Sequence, residues 1–456
     1  MHPIMFRIPL GGLKLPWIGE LGNIPIYSYG VMLGLSLVVG WYLTLGLAAR
    51  DGLPRETMAN NYVITAVAAV ASSRILYILT NLGEFKSWGD VFSLREGGLG
   101  AYGGFLGGFL GSWIYLRLKR IRLMPWADVA VPSLASGLLI TRIGCYLYGC
   151  DYGKPLGDGA PGFLRSLGTF PHWPDGTLPI GSGSPAWFEH RQAGLIGPEA
   201  THSLPVHPTQ IYESLLGGLL LVMLLLARKR QRFRGEIFFL FTFGYGVCRF
   251  LLELLRADPE RGELSSGLAP HLLIPFCLLL FAAGYAFGFA RRIENDLFRR
   301  LTQAVAFVPA VASYLAMRPA SFGQSGPAMP LSTSQFIALL SSVAVCAAYG
   351  VFYKAALAHP ESAMALGLPA GAGDVPADAE PAAEPPAREG KGRGVKAETT
   401  GARKPQPAAR QGARAKARKR KPAAAAPTAA EPKKETPQAE PAPAPPPDDD
   451  ENDEVL

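Results

Sequence analysis

Arg142, Arg249 with Glu253, Tyr102, Tyr29 and the run His207-Pro208-Thr209-Gln210-Ile211-Tyr212-Glu213 are the residues of this chain whose types and placement suit chemistry. Val129 to Ile140 is an almost uninterrupted run of apolar and small residues, and Arg142 stands just beyond it. A guanidinium cannot shed its charge. At the end of such a run it either snorkels to an interface as an anchor or meets an anion that the site is built to hold. Arg249 sits late in a second apolar run, and Glu253, four residues on, falls on the same helical face within pairing distance. An internal ion pair accounts for Arg249 in that way. Glu253 neutralises one guanidinium, so the other still calls for counter-charge.

The elements that position these residues follow from hydropathy. Apolar runs of spanning length occur at about 24–49, 62–82, 98–116, 129–147, 210–227, 237–255, 271–290 and 335–353, with a shorter one at 301–317. Each of the longer ones can cross a hydrocarbon core of about 30 Å. Basic residues mark alternate connections: Arg50 and Arg55, then Arg117 to Arg122, then Arg228 to Arg234, then Arg291, Arg292, Arg299 and Arg300. The positive-inside rule places these in the cytoplasm, the N-terminus outside and, after nine crossings, the C-terminus inside. Arg142, Arg249, Tyr102, Tyr29 and His207 then share one depth, near the outer face.

Composition narrows the function classes. The chain has 456 residues, 49% of them hydrophobic, and a formal charge of +8 carried by connections and a tail, which suits a membrane protein and not a nucleic-acid binder. Five cysteines, with only Cys145 and Cys150 close together, make no disulfide framework. No basic n-region with an adjoining apolar core marks a cleavable leader, so the first span is expected to serve as the insertion signal. His172, His190 and His202 lie in the long fourth connection without zinc-binding spacing, so no metal and no cofactor is expected.

The expected organisation is an interfacial N-terminal segment at 1–23, a membrane core at 24–262 with an external head at 150–206, an inserted helical hairpin at 263–330, a last core helix at 331–357 and a disordered tail at 358–456. Residues Arg388 to Lys421 of that tail are strongly basic and suit contact with anionic lipid headgroups; a solvated tail without a partner is the simpler reading. Glycines crowd Gly97 to Gly111, where they allow close helix approach, and Gly103 and Gly104 beside Tyr102 leave room for a ligand at the backbone. Two guanidiniums at one depth suit a phosphate, and a phospholipid is the phosphate available there. The charges gather at one face and not at mid-membrane, which disfavours a transporter.

Several stretches together resemble the prolipoprotein diacylglyceryl transferase family: Tyr29-Gly30, Gly98 with Tyr102-Gly103-Gly104, Arg142-Ile143-Gly144-Cys145 to Tyr152-Gly153, His207 to Glu213, Arg249-Phe250 with Glu253 and Asp258-Pro259, and Leu331-Ser332-Thr333-Ser334-Gln335. The resemblance implies an all-α integral membrane protein of about seven core helices in the bacterial inner membrane. It implies transfer of the diacylglyceryl group of phosphatidylglycerol to the lipobox cysteine thiol of a preprolipoprotein, with release of glycerol 1-phosphate. It assigns catalysis to Tyr102, Arg142 and Arg249, and substrate binding to Tyr29, Arg142, His207, Gln210, Tyr212, Glu213, Arg249 and Glu253. The chain departs from the family in sequence and in length. Tyr102 stands where many members carry His, and Cys145, Tyr148 and Cys150 occupy a stretch that commonly carries Asn; the residues between Asp258-Pro259 and Leu331 are an insertion, and the tail is foreign to the family core. A diverged, non-catalytic phospholipid-binding protein that recruits partners through its basic tail is the alternative.

Overall fold

The structure, a computed structural model, describes residues 1–9, 13–15, 19–21, 24–84, 100–174, 177, 183–257, 262–264, 268–318 and 330–368. The tail beyond 368 and Asp258-Pro259 lie outside the described residues, as do the disorder expected of most of 358–456 and the basic run at 388–421. The rest is a helical bundle with short strand pairs at its edges. The chain is an all-α integral membrane protein.

Strands β1 (Ile4–Ile8) and β4 (Ile24–Tyr27) pair antiparallel, and β2 (Leu13–Leu15) pairs with β3 (Gly19–Leu21). These strands occupy the expected interfacial segment and the first residues of the expected first span. Pro25 explains the later helix start, because proline suits a two-stranded edge and removes a donor from a helix. Helix α1 (Ser28–Arg50) begins at Ser28, and α2 (Arg55–Thr80) begins seven residues before the expected 62. Helix α2 absorbs its polar start by burying Asn61, whose Nδ2 donates to Ser112 Oγ at 2.9 Å across to α3 (Ala101–Leu118).

Glycine sets the α2–α3 spacing. A Cβ at Gly111 would stand 2.7 Å from that of Ala68, and one at Gly104 2.8 Å from Ser73 Oγ. Close packing of small residues therefore explains much of the glycine run.

Helix α4 (Leu123–Tyr148) packs on α1 and on α7 (Thr209–Arg228). Ser214 Oγ donates to the Leu139 carbonyl at 2.7 Å, and a Cβ at Gly217 would lie 2.6 Å from Leu139 N, so these two helices touch backbone to backbone. Helix α7 leads to α8 (Glu236–Glu253), which packs against α11 (Thr333–Ala358). Helices α9 (Pro270–Phe287) and α10 (Asp296–Met317) pack on each other across a short 3-10 turn, Phe289–Arg292, and α9 also contacts α11. The weak run at 301–317 is thus a full helix, capped where Asn295 Oδ1 accepts from Phe298 N at 2.9 Å.

Among the described residues six helices are long and apolar enough to cross a membrane: α1, α2, α4, α7, α9 with the turn that follows it, and α11. Helix α8 opens on Glu236 and ends on Glu253, with Arg249 one turn before that end, and these polar groups turn inward.

Both ends of α4 anchor ionic networks. At its start the buried Asp128 carboxylate accepts from the backbone N–H groups of Gly235, Ile237 and Phe238 at 2.6, 3.0 and 3.1 Å, satisfying the otherwise unpaired donors that open α8. Asp51 pairs there with Arg228 at 2.8 Å and Arg234 at 2.5 Å, and Glu236 with Arg292. Arg142 lies fourteen residues further along α4, about 21 Å at 1.5 Å per residue.

The head carries the short helices α5 (Gly162–Leu167) and α6 (Pro185–Gln192) over a core of Tyr152, Phe170, Ala186 and Val206. Its histidines serve packing and local bonding. The His172 ring lies 4.3 Å from that of Trp187, His190 Nδ1 accepts from Leu204 N at 3.2 Å, and His202 Nδ1 meets Thr201 Oγ1 at 2.8 Å.

Candidate active site

Gly149 ends α4 in the left-handed conformation at φ 85°, with its N–H on the Cys145 carbonyl at 2.7 Å. Glycine carries no Cβ penalty in that cap. The next residues double back over the helix end. Asp151 is itself left-handed at φ 57°, a conformation that aspartate tolerates better than most residues. Thr209 Oγ1 donates to the Asp151 carbonyl at 2.5 Å and Gln210 Nε2 to the Cys150 carbonyl at 2.6 Å, so the opening turn of α7 clamps this strap. The Asp151 carboxylate is thereby aimed back at Arg142 and pairs with it.

Arg142 has a second anion. Its Nε meets Glu213 Oε2, and the other oxygen of the same carboxylate, Oε1, lies 2.5 Å from Arg249 Nη1. Glu213 thus bridges two guanidiniums that are 107 positions apart in the chain. Arg249 Nη2 also reaches Glu253 Oε2 at 2.9 Å, and Arg256 pairs with the free side of Asp151. Three guanidiniums and three carboxylates form one chain of contacts, Arg256–Asp151–Arg142–Glu213–Arg249–Glu253.

The absence of counter-charge inferred for Arg142 from sequence is therefore corrected. Glu213 and Asp151 supply it, and neither pairing follows from helical spacing. Exposure separates the two acids: the Glu213 side chain is 4% exposed and that of Asp151 27%. Burial pushes the Asp151 carboxyl up, but the guanidiniums of Arg142 and Arg256 outweigh it and hold the group at about 2.

Tyr102 joins the same cluster through a residue with no assigned role. Its hydroxyl lies 3.0 Å from Ser334 Oγ, and Ser334 Oγ accepts from Arg249 Nη2 at 3.2 Å. Ser334 is held there by the capping box of α11, in which Ser332 and Gln335 bond each other's backbone N–H. Gln335 Nε2 donates to the Phe250 carbonyl at 3.4 Å, fixing α11 against α8 one residue from Arg249.

The remaining expected site residues divide. Gln210 is fully buried and positions the strap. Tyr29 opens α1 where that helix meets Gly144, and it lies within electrostatic reach of Arg142, Cys145 and Cys150. His207 and Tyr212 pair with each other, Nδ1 to hydroxyl at 3.3 Å, and the His207 carbonyl accepts from Gly153 N at 3.0 Å. Burial pushes the His207 imidazole down, so it stays neutral in neutral medium. The sequence reading missed Asp151, Arg256, Ser334 and Tyr245, the last within electrostatic reach of Glu213, Arg249 and Arg142. Arg256 carried a signal, because it follows Arg249 by two helical turns.

The fold and the cluster define a polytopic helical membrane protein with an arginine–carboxylate site at one end of its bundle. A family model described as prolipoprotein diacylglyceryl transferase matches residues 16–288. The chain belongs to that family. It is 28% identical over 250 residues to a phosphatidylglycerol–prolipoprotein diacylglyceryl transferase of Clostridium tetani, covering 55% of this chain and 88% of that protein. The protein of the same name from Bacillus cytotoxicus is 30% identical over 240 residues, covering 52% and 80%. That from Oceanobacillus iheyensis is 26% identical over 241 residues, covering 52% and 76%. The matched span runs through α9 and stops before α10.

Proposed function

We propose that this chain transfers the diacylglyceryl group of phosphatidylglycerol to the lipobox cysteine thiol of preprolipoproteins, the first step of bacterial lipoprotein maturation. The observation that carries the reading is the convergence of Arg142 and Arg249 on the single carboxylate of Glu213. A carboxylate that two guanidiniums grip by different oxygens holds them side by side, with further N–H donors on each that a phosphate can share. Phosphatidylglycerol brings one negative charge to a cluster whose six charges already balance, so one internal pair opens on binding. Asp151 is the acid that opens at least cost, because it is the more exposed.

In this reading Arg142 and Arg249 hold the lipid phosphate and take up the charge that grows on it as the carbon–oxygen bond breaks. Glu253 orients Arg249, and Glu213 keeps the two guanidiniums in register. The acceptor thiol loses its proton as the carbon–sulfur bond forms. Tyr102, placed by Ser334 beside Arg249, and the neutral His207, paired with Tyr212, serve as orienting and proton-accepting groups. Tyr29 and Tyr212 line the approach, and the buried Gln210 holds the strap that carries Asp151.

The basic connections support an orientation with the N-terminus outside and the tail in the cytoplasm. The cluster and the 150–206 head then face outward, where the lipobox peptide docks beneath the head. The boundaries proposed above for core, hairpin and last helix keep the same sense, and the basic run at 388–421 suits anionic headgroups on the inner leaflet. Tyr102 in place of His, the inserted hairpin and the basic tail favour the alternative, a phospholipid-binding member without activity that recruits partners through that tail. Transfer of labelled diacylglycerol from phosphatidylglycerol to a lipobox peptide by the purified protein decides between them: product supports the enzyme, and its absence beside an active control enzyme rejects it.

A further inference from the structure

The end of α4 and the strap that follows it hold one cysteine each, Cys145 and Cys150, that the transfer chemistry does not use. The Sγ atoms of Cys145 and Cys150 and a carboxylate oxygen of Asp151 all lie within 4.8 Å of one another. Both cysteines are free. The left-handed Gly149 folds the second back over the first, leaving Cys150 Sγ 3.9 Å from the Cys145 carbonyl. Cys145 is buried and Cys150 half-buried, so a reagent reaches Cys150 first. A divalent metal is the other candidate for two thiols and a carboxylate, but charge opposes it. Both Asp151 oxygens are held by guanidiniums, and a dication there would stand against Arg142 and Arg256.

We propose that Cys145 and Cys150 are a redox pair that closes to a disulfide by exchange with a disulfide-bearing oxidant, and that closure restrains the phosphate site. The exchange balances. The Cys150 thiolate attacks one sulfur of the oxidant R–S–S–R, forming a mixed disulfide and releasing R–S⁻, which takes up the Cys150 proton. Cys145 sulfur then attacks Cys150 sulfur, its proton passes to the second R–S⁻, and the products are one internal disulfide and two R–SH. The protein thiols lose two electrons and the oxidant gains them.

Closure reaches the site by two contacts. Arg142 Nη1 donates to Cys145 Sγ at 3.7 Å, and Cys150 is bonded along the chain to Asp151. A disulfide draws the two sulfurs to about 2.05 Å. It ties the strap to the end of α4 and removes the freedom that Asp151 needs to release Arg142 to a substrate. This effect on rate rests on the function proposed above; the pairing of the cysteines does not.

The test uses the purified full chain, treated with oxidised glutathione, alkylated with a maleimide and digested. The expected result is a Cys145–Cys150 disulfide within one peptide, protection of both thiols and reversal by dithiothreitol. The initial rate of transfer falls roughly tenfold, inside the usual range of site-to-site coupling, and returns on reduction. Cys150→Ser gives no internal disulfide and a rate indifferent to the oxidant. Full alkylation of both thiols after saturating oxidant overturns the pair. A disulfide that forms in an active enzyme with no change in rate overturns the restraint. A chain that forms the disulfide but never transfers lipid upholds the pair and counts against the proposed function instead.

Discussion

Glu213 Oε1 lies 2.5 Å from Arg249 Nη1 while the other oxygen of the same carboxylate pairs with Arg142. One acid on α7 thus fixes the separation of two guanidiniums carried by α4 and α8, and the expectations below follow from that arrangement.

Removing Glu213 leaves two largely buried guanidiniums short of an anion. Breaking a buried pair from one side costs about 3–5 kcal/mol. Glu213→Ala is expected to lower thermal stability in detergent by that amount, and Glu213→Gln by less, because the amide oxygen still accepts a hydrogen bond. Thermal unfolding followed by exposure of buried cysteines measures both. Equal stability of Glu213→Ala and the parent would remove Glu213 from the framework.

Ser334 links Tyr102 to Arg249, and a hydrogen bond to a charged group contributes about 1.5–3 kcal/mol. Ser334→Ala is expected to reduce kcat for diacylglyceryl transfer by roughly tenfold or more, with unfolding temperature nearly unchanged, and Ser334→Thr to restore most of it. Tyr102→His is expected to keep activity, since an imidazole supplies the same hydrogen-bonding edge. Steady-state kinetics with the four proteins checks the order, and a Ser334→Ala enzyme at full rate contradicts it.

Asp128 provides the contrast, because it lies at the far end of α4. Asp128→Ala strands the backbone donors of Gly235, Ile237 and Phe238. Each buried unsatisfied donor costs about 1–3 kcal/mol. A large fall in stability is expected, with KM for phosphatidylglycerol unchanged in the protein that remains folded. A raised KM would show that the two ends of α4 communicate.

The head should respond to acid through His190, whose Nδ1 accepts from Leu204 N. Burial pushes this imidazole below its ordinary value. A lowered folded-state value means the contribution is complete above the unfolded value of about 6.5 and is lost as pH falls through the folded value. Limited proteolysis of residues 183–206 is therefore expected to quicken between pH 7 and pH 5, and His190→Gln to flatten that dependence. Cleavage at the same rate across the interval would place His190 outside the head's stability.

Much of the fold was legible because long apolar runs mean little else. Helix starts were displaced where a local group decided them: Pro25 held residues 24–27 in a strand, and buried Asn61 carried α2 back to Arg55 through a polar stretch. In the site, the Arg249–Glu253 pair follows from spacing of four on one helix. The bridge from Glu213 does not, since it depends on how α7 is rotated against α4 and α8, which the Gly217 contact sets. Asp151 was hidden by a reversal of the chain, as a left-handed Gly149 turns a residue that reads as continuing outward back onto Arg142. Ser334 was hidden by distance, 232 positions from Tyr102.

The central claim is that the guanidiniums of Arg142 and Arg249 serve a lipid phosphate. It is tested most directly by transfer of labelled diacylglycerol from phosphatidylglycerol to a lipobox peptide, with the parent protein and folded Arg142→Ala side by side. The account predicts product from the parent and a fall of about 10²–10³ in kcat, the loss expected when a charge-stabilising donor is removed. Transfer by Arg142→Ala at the parent rate would contradict it.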